Sequence, residues 1–518
     1  MFLYYILSSL LLLLSLASAL PSPLVAESSK YEHYKRQNAS AELGACLSAA
    51  GVQTSLPSTS TWSTDTLAWC SRVSPVPSVV VFPKSETEVS AALKCAAASG
   101  TKVTTLGGNR SFHSAGFGRN DGAMVVNLVN MKVLEYDETT ELLTYGGPVT
   151  ISEAAGHMWT NYQRALPHGR CPDVGMTGVS ASGFGTLSRA KGTVLDNVAK
   201  VRVALADGSI LNASETENED LFWAVRGAAS SMGVVLTFSI KTMAPPSSLV
   251  SNYTIAFPAG YVPTQQQNVD ALLGAQAWAQ SKDNDDLLSV RFGLRASSQL
   301  AGFYYGTPEQ FAAVSKTLLS YLPANMTVSS GSEDFWASED LATPGIAAKS
   351  QTTRRYFYIS SVTIPSSTPL DNNTAWSLFS STVYVGKLSD ATASGFVDIW
   401  GGEYTASIPS DLSAWKHDDN LLLVRWDMRS SAANVSFSDA SLQKVRKAFY
   451  EGFVDEYKTA GGTPGGFTTY RDAEWTLEES AEYLYGSEGY EKLKEVKTKF
   501  DPGMLFNTDP QAIPALAQ

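Results

Sequence analysis

Gly107 to Gly118, GGNRSFHSAGFG, is the stretch that decides how the rest of the chain is interpreted. Two further glycine-rich segments follow. The second is Gly169 to Gly192, whose first part lies in the motif PHGRCPDVGMTG (Pro167 to Gly178), and the third is Asp220 to Val235, which begins DLFWAVRG and ends SMGVV. Clustered glycines allow backbone N–H groups to approach and cradle a phosphate. Turn glycines alone would explain one such loop, but three between Gly107 and Val235 predict a long anionic cofactor.

The elements around the first loop alternate between strand and helix. Ser78 to Phe82, Thr101 to Leu106 and Ala123 to Leu128 are short runs rich in β-branched residues, which is typical of strands. The capping box Ser85-x-x-Glu88 predicts a helix after the first strand, and Gly100 ends it. This order of elements indicates an α/β beginning.

Later segments predict further elements of both kinds. Val198 to Leu211 predicts a hairpin around a tight Asp-Gly turn. Pro308 to Leu319 and Ser487 to Phe500 have helical spacing, and Tyr356 to Thr363 is strand-like. The sequence therefore indicates an α+β chain, with a cofactor domain followed by a second sheet domain.

Composition excludes several classes of protein. The chain has 518 residues, of which 44% are hydrophobic and 17% charged, with a net charge of −12. This balance is globular, and no Lys/Arg-rich run is present, so we expect no nucleic-acid partner. The sequence lacks the G-x-G-x-x-G, P-loop and H-E-x-x-H motifs, and its five histidines show no metal spacing. We therefore expect no metal site.

The N-terminus predicts secretion. Residues 1–26 carry no charged side chain, and the Leu-rich run Ile6 to Leu16 leads into Ala17-Ser18-Ala19, so we predict a signal peptide over 1–19. Pro21 ends the apolar run before it reaches the length of a membrane span. We expect a protein of the secretory pathway with no membrane attachment after cleavage. Lys35-Arg36 is either the end of a pro-peptide at residue 36 or an exposed basic pair.

Seven Asn-x-Ser/Thr triplets fit a secreted surface. Asn109 lies in the first glycine-rich loop, so we predict that it is not glycosylated. The predicted glycosylation sites are Asn38, Asn212, Asn252, Asn325, Asn372 and Asn434.

Taken together, the motifs resemble a known family. The three glycine-rich segments, the late run Thr469 to Asp472 and the ending FNTDPQAIP from Phe506 to Pro514 are similar to FAD-linked oxidases of the vanillyl-alcohol oxidase superfamily. The closest resemblance is to the berberine-bridge-enzyme-like group, which includes the fungal oligosaccharide oxidases. It runs from Cys46 to Pro514.

This resemblance implies a two-domain PCMH-type FAD-binding fold of the α+β class, in a chain that we expect to be a monomer. After an N-terminal segment over 20–76, the FAD-binding domain would span 77–245. The substrate domain, built on an antiparallel sheet, would span 246–469. The C-terminal segment, 470–518, would return to the FAD domain.

The resemblance also implies covalent FAD. Cys171 matches the cysteine that forms a thioether with flavin C6. Arg110 occupies the position of the family's flavin-linked histidine, and a guanidinium cannot form that bond. His113 is the nearest imidazole but is out of register, so we predict a single covalent bond through Cys171. The other predicted cofactor-binding residues are Gly107, Gly108, Asn109, Arg110, Ser111, Val174, Gly175, Thr177, Gly178, Gly183, Gly233 and Val235.

The family glycines are replaced in two places, by Ala181 and Ser182 and by Ala228 and Ala229. Small side chains fit such positions where φ is negative, so these changes affect the flavin geometry rather than the cofactor class.

Cys46 and Cys95 match a disulfide of the fungal oligosaccharide oxidases, which leaves Cys70 as a buried thiol. Tyr470 matches a tyrosine that family members use as a base. Because a phenol is a poor base at neutral pH, a nearby cation or hydrogen-bond donor must assist it.

In the implied reaction Tyr470 takes the substrate's hydroxyl proton while flavin N5 accepts hydride from carbon. The electrons then pass to O2 or another acceptor. Trp415 to Met428 resembles the strand that faces the flavin, so His417, Arg425 and Trp426 are candidates to shape the pocket. For His417 the alternative is a structural residue, which a lone histidine near the start of a strand more often is.

Three functions compete. The first is an enzyme that oxidises an alcohol, or drives an oxidative cyclisation, in secondary metabolite biosynthesis. The second is an oligosaccharide oxidase or dehydrogenase that converts a C1 hydroxyl to a lactone. The third is a non-catalytic flavoprotein. The similarity of PHGRCPDVG to the sugar-oxidase version favours the second, and the loss of the linked histidine favours the first. We predict the first, with the second as the alternative.

Overall fold

The computed structural model describes residues 41–432 and 435–517. The predicted signal peptide, the Lys35-Arg36 pair and the glycosylation sites Asn38 and Asn434 lie outside the described residues. Within them, no helix has the length and hydropathy that crossing a membrane requires. No cluster of three or more His, Cys, Asp or Glu side chains in these residues is arranged to hold a metal ion.

The first sheet follows the predicted order of elements. A helix over Glu86–Ser99 begins where the Ser85 hydroxyl accepts a hydrogen bond from the Glu88 N–H, and it ends at Gly100, where φ is +67°. The three predicted strands are present and mutually parallel. In the sheet order β1-β2-β4-β3, the strands are β1 Thr54–Ser55, β2 Val79–Val81, β3 Val103–Leu106 and β4 Met124–Asn127.

The second sheet is antiparallel and contains the predicted hairpin as β7 and β8. Its order is β5-β6-β9-β7-β8. The strands are β5 Val133–Asp137, β6 Leu142–Gly146, β7 Val198–Ala204, β8 Ile210–Ser214 and β9 Val234–Lys241.

The third sheet has seven antiparallel strands in the order β13-β10-β12-β11-β15-β16-β14. The strands are β10 Leu249–Ala256, β11 Val290–Leu294, β12 Gln299–Tyr304, β13 Thr327–Asp334, β14 Phe357–Pro365, β15 Ala391–Ile399 and β16 Asn420–Ser430.

The predicted helix over Pro308–Leu319 is present with those bounds. The final helix runs over Leu477–Phe500 and so begins earlier than predicted, because Gly486 interrupts it with φ +65° and hides the first half from a periodicity search. Other helices of eight or more residues are Ile151–Tyr162, Glu219–Met232, Gln265–Ala279, Phe335–Ala342, Asn372–Ser381 and Asp439–Phe449.

The third sheet has two faces of opposite character. Successive side chains of a strand point to opposite faces, so alternate residues share an environment. One face, the helix face, packs against the helices Gln265–Ala279, Asn372–Ser381 and Asp439–Phe449. It is formed by residues including Phe292, Tyr358, Val362, Val397, Val424 and Trp426. The other face, the site face, carries Arg291, Ser361, Phe396, Asp398, Arg425 and Asp427.

The C-terminal residues pack on the first two sheets. Leu484 and Ile513 are buried in one apolar cluster with residues of β6, β7 and β9. Leu505 and Phe506 are buried against the first sheet, and the Leu505 carbonyl accepts a hydrogen bond from the Val103 N–H. The return of the chain end to the first two sheets follows from these contacts.

The cysteines are arranged as the resemblance implied. Cys46 and Cys95 form a disulfide with a Cα–Cα distance of 5.6 Å. Cys70 is a buried free thiol, and Cys171 is a half-buried one.

Candidate active site

The first two glycine-rich segments meet backbone to backbone. A Cβ added to Gly108 would lie 2.5 Å from the Cα of Gly175, and one added to Gly107 would lie 2.5 Å from the Thr177 hydroxyl oxygen. Only glycine permits this approach. No backbone N–H between Gly108 and Phe112 donates a hydrogen bond to another described residue. The loop therefore offers unpaired N–H donors of the kind that bind an anion.

Arg110 and Cys171 lie in contact where these segments meet. The Arg110 Nη2 donates a hydrogen bond to the Cys171 Sγ over 3.4 Å, and its Nε lies 3.1 Å from an Asp173 carboxylate oxygen. The guanidinium stacks over the ring of Trp69, with its Cζ 4.0 Å from the ring centroid. The Cys171 Sγ in turn donates to Asp173 over 3.3 Å. The thiol is thus held between a cation and a carboxylate.

The pKa values of the two acidic groups in this cluster, Cys171 and Asp173, differ from their ordinary values. Burial raises the pKa of the Cys171 thiol, and the neighbouring Arg110 offsets only part of that effect. Burial also acts to raise the pKa of Asp173, but hydrogen bonds from Thr352 and the charge of Arg110 outweigh it and hold that pKa below its usual range. Asp173 therefore stays ionised beside Arg110, and the Cys171 sulfur is mostly a thiol at neutral pH.

His113 does not join Arg110 and Cys171. It is buried, and its Nε2 accepts a hydrogen bond from the Arg471 Nε over 3.2 Å. Burial, and then the charge of Arg471, hold the pKa of His113 well below its usual range, so the ring is neutral. The nearest imidazole in sequence is thus engaged with the residue that follows Tyr470, and Arg471 itself pairs with Asp509.

Tyr470 lies between the first loop and the site face. Its ring centroid is 4.7 Å from that of Phe467 and 5.9 Å from that of Phe112. The Arg425 Cζ stands 4.3 Å from the Tyr470 ring centroid. The Ser361 hydroxyl donates to the Tyr470 backbone carbonyl over 3.0 Å. The predicted base therefore has a cation directly beside its ring.

Arg425 is itself held by a carboxylate. Its Nε and Nη2 donate to the two oxygens of Asp427 over 2.8 and 2.7 Å. Burial alone would lower the pKa of Arg425, but the charge of the neighbouring Asp427 outweighs it and raises that pKa. Arg425 is consequently a permanent cation.

Two of the expected pocket residues lie elsewhere. Trp426 follows Arg425 on a strand, so it points to the helix face and is buried in the core there. His417 is buried with its Nε2 2.6 Å from an Asp196 carboxylate oxygen, and its ring stacks on Trp415. The expectation that Trp426 and His417 shape the pocket is wrong, and only Arg425 reaches the site.

Other predicted cofactor residues have packing contacts. Gly183, with φ +67°, fits between Val179 and Val194, and Gly233 packs against Val203 and Ala204. Val235 is buried in β9. The Ser182 hydroxyl lies 2.9 Å from that of Thr469, which joins the second segment to Tyr470.

Ser111 accepts hydrogen bonds from the His113 and Ala115 N–H groups within the first loop. Asn109 has φ +51° and donates its side-chain amide to the Leu67 carbonyl. Its predicted lack of glycan remains a prediction. Val174 is half-buried and Gly178 exposed beside these residues.

Sequence reasoning missed the acidic partners. Asp427 stands two residues after Arg425 on β16, so the two side chains share the site face. Such i, i+2 charge spacing on a strand was the available signal. Asp173 was part of a quoted motif, but its bond to Arg110 depends on how two loops meet.

Comparisons with known proteins agree with this arrangement. Residues 77–214 match the family described as FAD binding domain, and residues 467–514 match the family described as berberine and berberine like. A carbohydrate oxidase from Microdochium nivale is 28% identical over 491 residues, covering 90% of this chain and 94% of the relative. The FAD-linked oxidoreductase dpmaF from Metarhizium anisopliae is 28% identical over 508 residues, covering 91% of each.

A solved structure is similar over its whole length. The glucooligosaccharide oxidase from Acremonium strictum, described with a 6-S-cysteinyl, 8α-N1-histidyl FAD, has a TM-score of 0.82 at 25% identity. The match covers 92% of this chain and 100% of that one. Fold and site together define an FAD-dependent oxidoreductase enzyme. Over nearly its whole length the chain is similar to FAD-linked oxidases of the berberine-bridge-enzyme-like and oligosaccharide oxidase group. The non-catalytic alternative is therefore not retained.

Proposed function

We propose that this enzyme oxidises the C1 hydroxyl of an oligosaccharide to a lactone. The observation that carries the proposal is the position of Tyr470, which has Arg425 4.3 Å from its ring centroid and the first glycine-rich loop on its other side. The Microdochium and Acremonium relatives, which match nearly the whole chain, are a carbohydrate oxidase and a glucooligosaccharide oxidase.

The chain's own residues supply binding and proton transfer. FAD, when bound, supplies the two-electron acceptor and passes the electrons to O2 or another acceptor. Tyr470 takes the proton of the substrate hydroxyl as the C–H bond breaks. The permanent positive charge of Arg425 stabilises the negative charge that develops on the Tyr470 oxygen.

The residues present fit FAD. The unpaired N–H donors between Gly108 and Phe112 suit its pyrophosphate, with Gly175 and Thr177 closing the other side of the cradle. We further propose attachment through Cys171 alone. In this chain Arg110 stands at the position of the linked histidine, and its contact with Sγ keeps the sulfur in the site instead of adding a second bond.

Flavin reduction tests the role of Tyr470. Cello-, malto-, xylo- and chito-oligomers would be mixed anaerobically with the holoenzyme, and the loss of flavin absorbance recorded. We expect one series to reduce the flavin and Tyr470→Phe to slow that step about 10²–10⁴-fold, the usual contribution of a general base. Tyr261→Phe is the matched control, because its hydroxyl bonds only Gln267 on the surface. Equal reduction rates in wild type and Tyr470→Phe would remove Tyr470 from the mechanism.

Acid precipitation tests the attachment. We expect a yellow pellet from wild type and from Cys70→Ser, and a colourless pellet with free flavin from Cys171→Ser. A yellow Cys171→Ser pellet would show that another residue is linked. Free flavin from wild type would show that the cofactor is not covalent.

A second candidate is oxidation or oxidative cyclisation of a small secondary metabolite. Arg110 in place of the histidine favours it, and dpmaF, a relative of equal coverage, is named only as an FAD-linked oxidoreductase. If none of the oligomer series reduces the flavin, this candidate replaces the first. For either candidate we propose a secretory route, which N-terminal sequencing of the mature protein tests by locating cleavage after residue 19 or 36.

A further inference from the structure

The sulfur of Cys171 touches two groups of opposite charge. The Arg110 Nη2 donates a hydrogen bond to the Cys171 Sγ over 3.4 Å, and the Sγ donates its own proton to an Asp173 carboxylate oxygen over 3.3 Å. Among the described residues, these are the two charged groups within hydrogen-bonding distance of the sulfur. A hydrogen bond donated to the ionised form of an acid favours ionisation, whereas one accepted from its neutral form opposes it. Arg110 and Asp173 therefore act on the thiol in opposite directions.

Arg110 is held where its charge acts on the sulfur. Its guanidinium lies over the ring of Trp69, with the Cζ 4.0 Å from the centroid, and its Nε lies 3.1 Å from an Asp173 carboxylate oxygen. The side chain of Arg110 is 9% exposed, so little water screens its charge. Its Nη1 is shielded from solvent and makes no hydrogen bond to a described residue. The guanidinium therefore keeps a free donor beside the sulfur for negative charge that develops there.

Asp173 is fixed from another side by an uncharged residue. The Thr352 N–H donates to one oxygen of Asp173 over 2.7 Å, and the Thr352 hydroxyl donates to both oxygens over 2.9 and 3.2 Å. Burial acts to raise the pKa of Asp173, but these bonds and the charge of Arg110 outweigh it and lower that pKa. A carboxylate of low pKa is a weak base, so Asp173 keeps the thiol proton on the sulfur instead of removing it.

The proposed bond between Cys171 and FAD requires the thiolate, because the thiolate and not the thiol is the nucleophile. Burial raises the pKa of Cys171, and Arg110 offsets only part of that effect. Attachment breaks the S–H bond and one C–H bond of the flavin, and it forms one S–C bond. The two protons and two electrons that are released reduce O2 to H2O2, and O2 is one of the acceptors that the proposed function uses.

We propose that Arg110 promotes the attachment of FAD to Cys171 by stabilising the thiolate, and that Asp173 restrains it by keeping the proton on the sulfur. The arginine at the position of the family's linked histidine would thus serve the one linkage that remains. This inference rests on the attachment through Cys171 stated under the proposed function. It does not depend on which substrate the enzyme oxidises.

The rate of attachment tests the inference. Full-length protein from riboflavin-limited cells would be mixed with saturating FAD under air, at values from about pH 6 to about pH 9. Samples would be precipitated with acid at intervals, and the flavin in each pellet measured. The variants are Arg110→Gln, Arg110→Lys and Asp173→Asn. Arg164→Gln is the matched control, because Arg164 pairs with Glu141 just before β6.

We expect the wild-type rate to rise with pH as the thiolate fraction grows, and Arg164→Gln to behave like wild type. Arg110→Gln should slow attachment about 3–10-fold at neutral pH and shift the profile to higher pH. A charge-assisted hydrogen bond is worth about 10-fold or more, and the greater nucleophilicity of a more basic thiolate offsets part of its loss. Arg110→Lys should keep part of the rate. Asp173→Asn should speed attachment by a similar factor and shift the profile to lower pH.

Alkylation of Cys171 by iodoacetamide separates the ionisation of the thiol from the binding of FAD. It would be recorded against pH without FAD, in a Cys70→Ser background that removes the other free thiol. We expect the alkylation profile to shift to higher pH in Arg110→Gln and to lower pH in Asp173→Asn. A variant whose attachment is slower but whose alkylation profile is unchanged would owe its effect to FAD binding, which would overturn the inference.

Three other results would overturn the inference. Slower attachment in Asp173→Asn would make Asp173 the base that removes the thiol proton. An unchanged rate in Arg110→Gln would remove Arg110 from the step. A wild-type rate that does not vary with pH would exclude control by thiol ionisation, and this result needs no variant to fold. No sugar enters these measurements, so each of these results would leave the proposed oxidation of an oligosaccharide standing.

Discussion

The two faces of the seven-stranded sheet differ although they are built from alternate residues of the same strands. On β16, Trp426 is 3% exposed in the helix-covered core, whereas Arg425 beside it touches Tyr470. On β14, Ser360 and Ser361 are equally buried, yet the first bonds the Trp426 carbonyl and the second the Tyr470 carbonyl. The helix face forms the apolar core, and the site face contacts Tyr470. Because successive strand residues point to opposite faces, the position of a residue along the strand determines its face.

The faces also differ in how they tolerate charge. Under the three helices the helix face carries apolar side chains such as Val397, Val424 and Trp426. The site face places Arg291 directly opposite Asp398 in the strand register, so the cation and its counter-ion arrive together.

The largest effect should come from removing Trp426. Trp426→Ala empties a large volume in the core under three helices, which should lower the free energy of unfolding by about 3–5 kcal/mol. Urea denaturation measures this change. Phe396→Ala, on the site face and half-buried, is the matched control and should lower the free energy of unfolding by less. A larger loss of stability from Phe396→Ala would contradict the division between the two faces.

Much of this architecture could be predicted from the sequence. The Ser85 cap, the Gly100 stop and the Asp-Gly hairpin are local signals, and they placed their elements correctly. The resemblance of the loops to a known family implied the cofactor class, and the close approach of Gly108 to Gly175 explains why glycine stands at these positions. The disulfide between Cys46 and Cys95 came from the resemblance and not from spacing.

The errors have physical causes. The expectation for Trp426 ignored the fact that successive residues of a strand point to opposite faces, so Trp426 and Arg425 cannot both face the pocket. His417 lies just before β16, so strand alternation does not determine where its side chain points. The ring instead pairs with the buried carboxylate of Asp196. The contact of Arg110 with Cys171 depends on how two distant loops pack. No sequence period encodes such contacts.

The buried pair of His417 and Asp196, just before β16, should make the stability of the protein depend on pH, whereas the ion pairs of the site face should not. Burial alone would lower the pKa of His417, but Asp196 outweighs it and raises that pKa. Burial alone would raise the pKa of Asp196, but His417 outweighs it and lowers that pKa. Their contribution to stability is complete between the unfolded-state values of about 3.9 and about 6.5. It is lost as pH rises through the raised pKa of His417, and as pH falls through the lowered pKa of Asp196.

His417→Gln should therefore destabilise the protein by about 3 kcal/mol near pH 5.5, the cost of leaving a buried charge unpaired, and by less at alkaline pH. Melting temperatures recorded from pH 5 to pH 9 measure the difference. His157→Gln is the control, because that ring bonds Asn161 and forms no ion pair with a carboxylate among the described residues. The Arg425–Asp427 pair persists across this range, since the pKa of Arg425 is raised. A pH-independent loss in His417→Gln would show that the pair is not ionised.

The smallest expected effects come from two neighbouring serines of β14, Ser360 on the helix face and Ser361 on the site face, and their comparison distinguishes the roles of the two faces. Ser360→Ala and Ser361→Ala each remove one buried hydroxyl that bonds a carbonyl, at 3.2 and 3.0 Å, so each should cost about 1 kcal/mol of stability. Only Ser361→Ala frees the backbone of Tyr470, so only that variant should slow anaerobic flavin reduction, by a few-fold. The Ser360 variant is the control for the loss of stability. Equal slowing by both variants would mean that stability, and not the position of Tyr470, limits the reaction. Unchanged reduction in both would mean that contacts other than Ser361 hold the base in place.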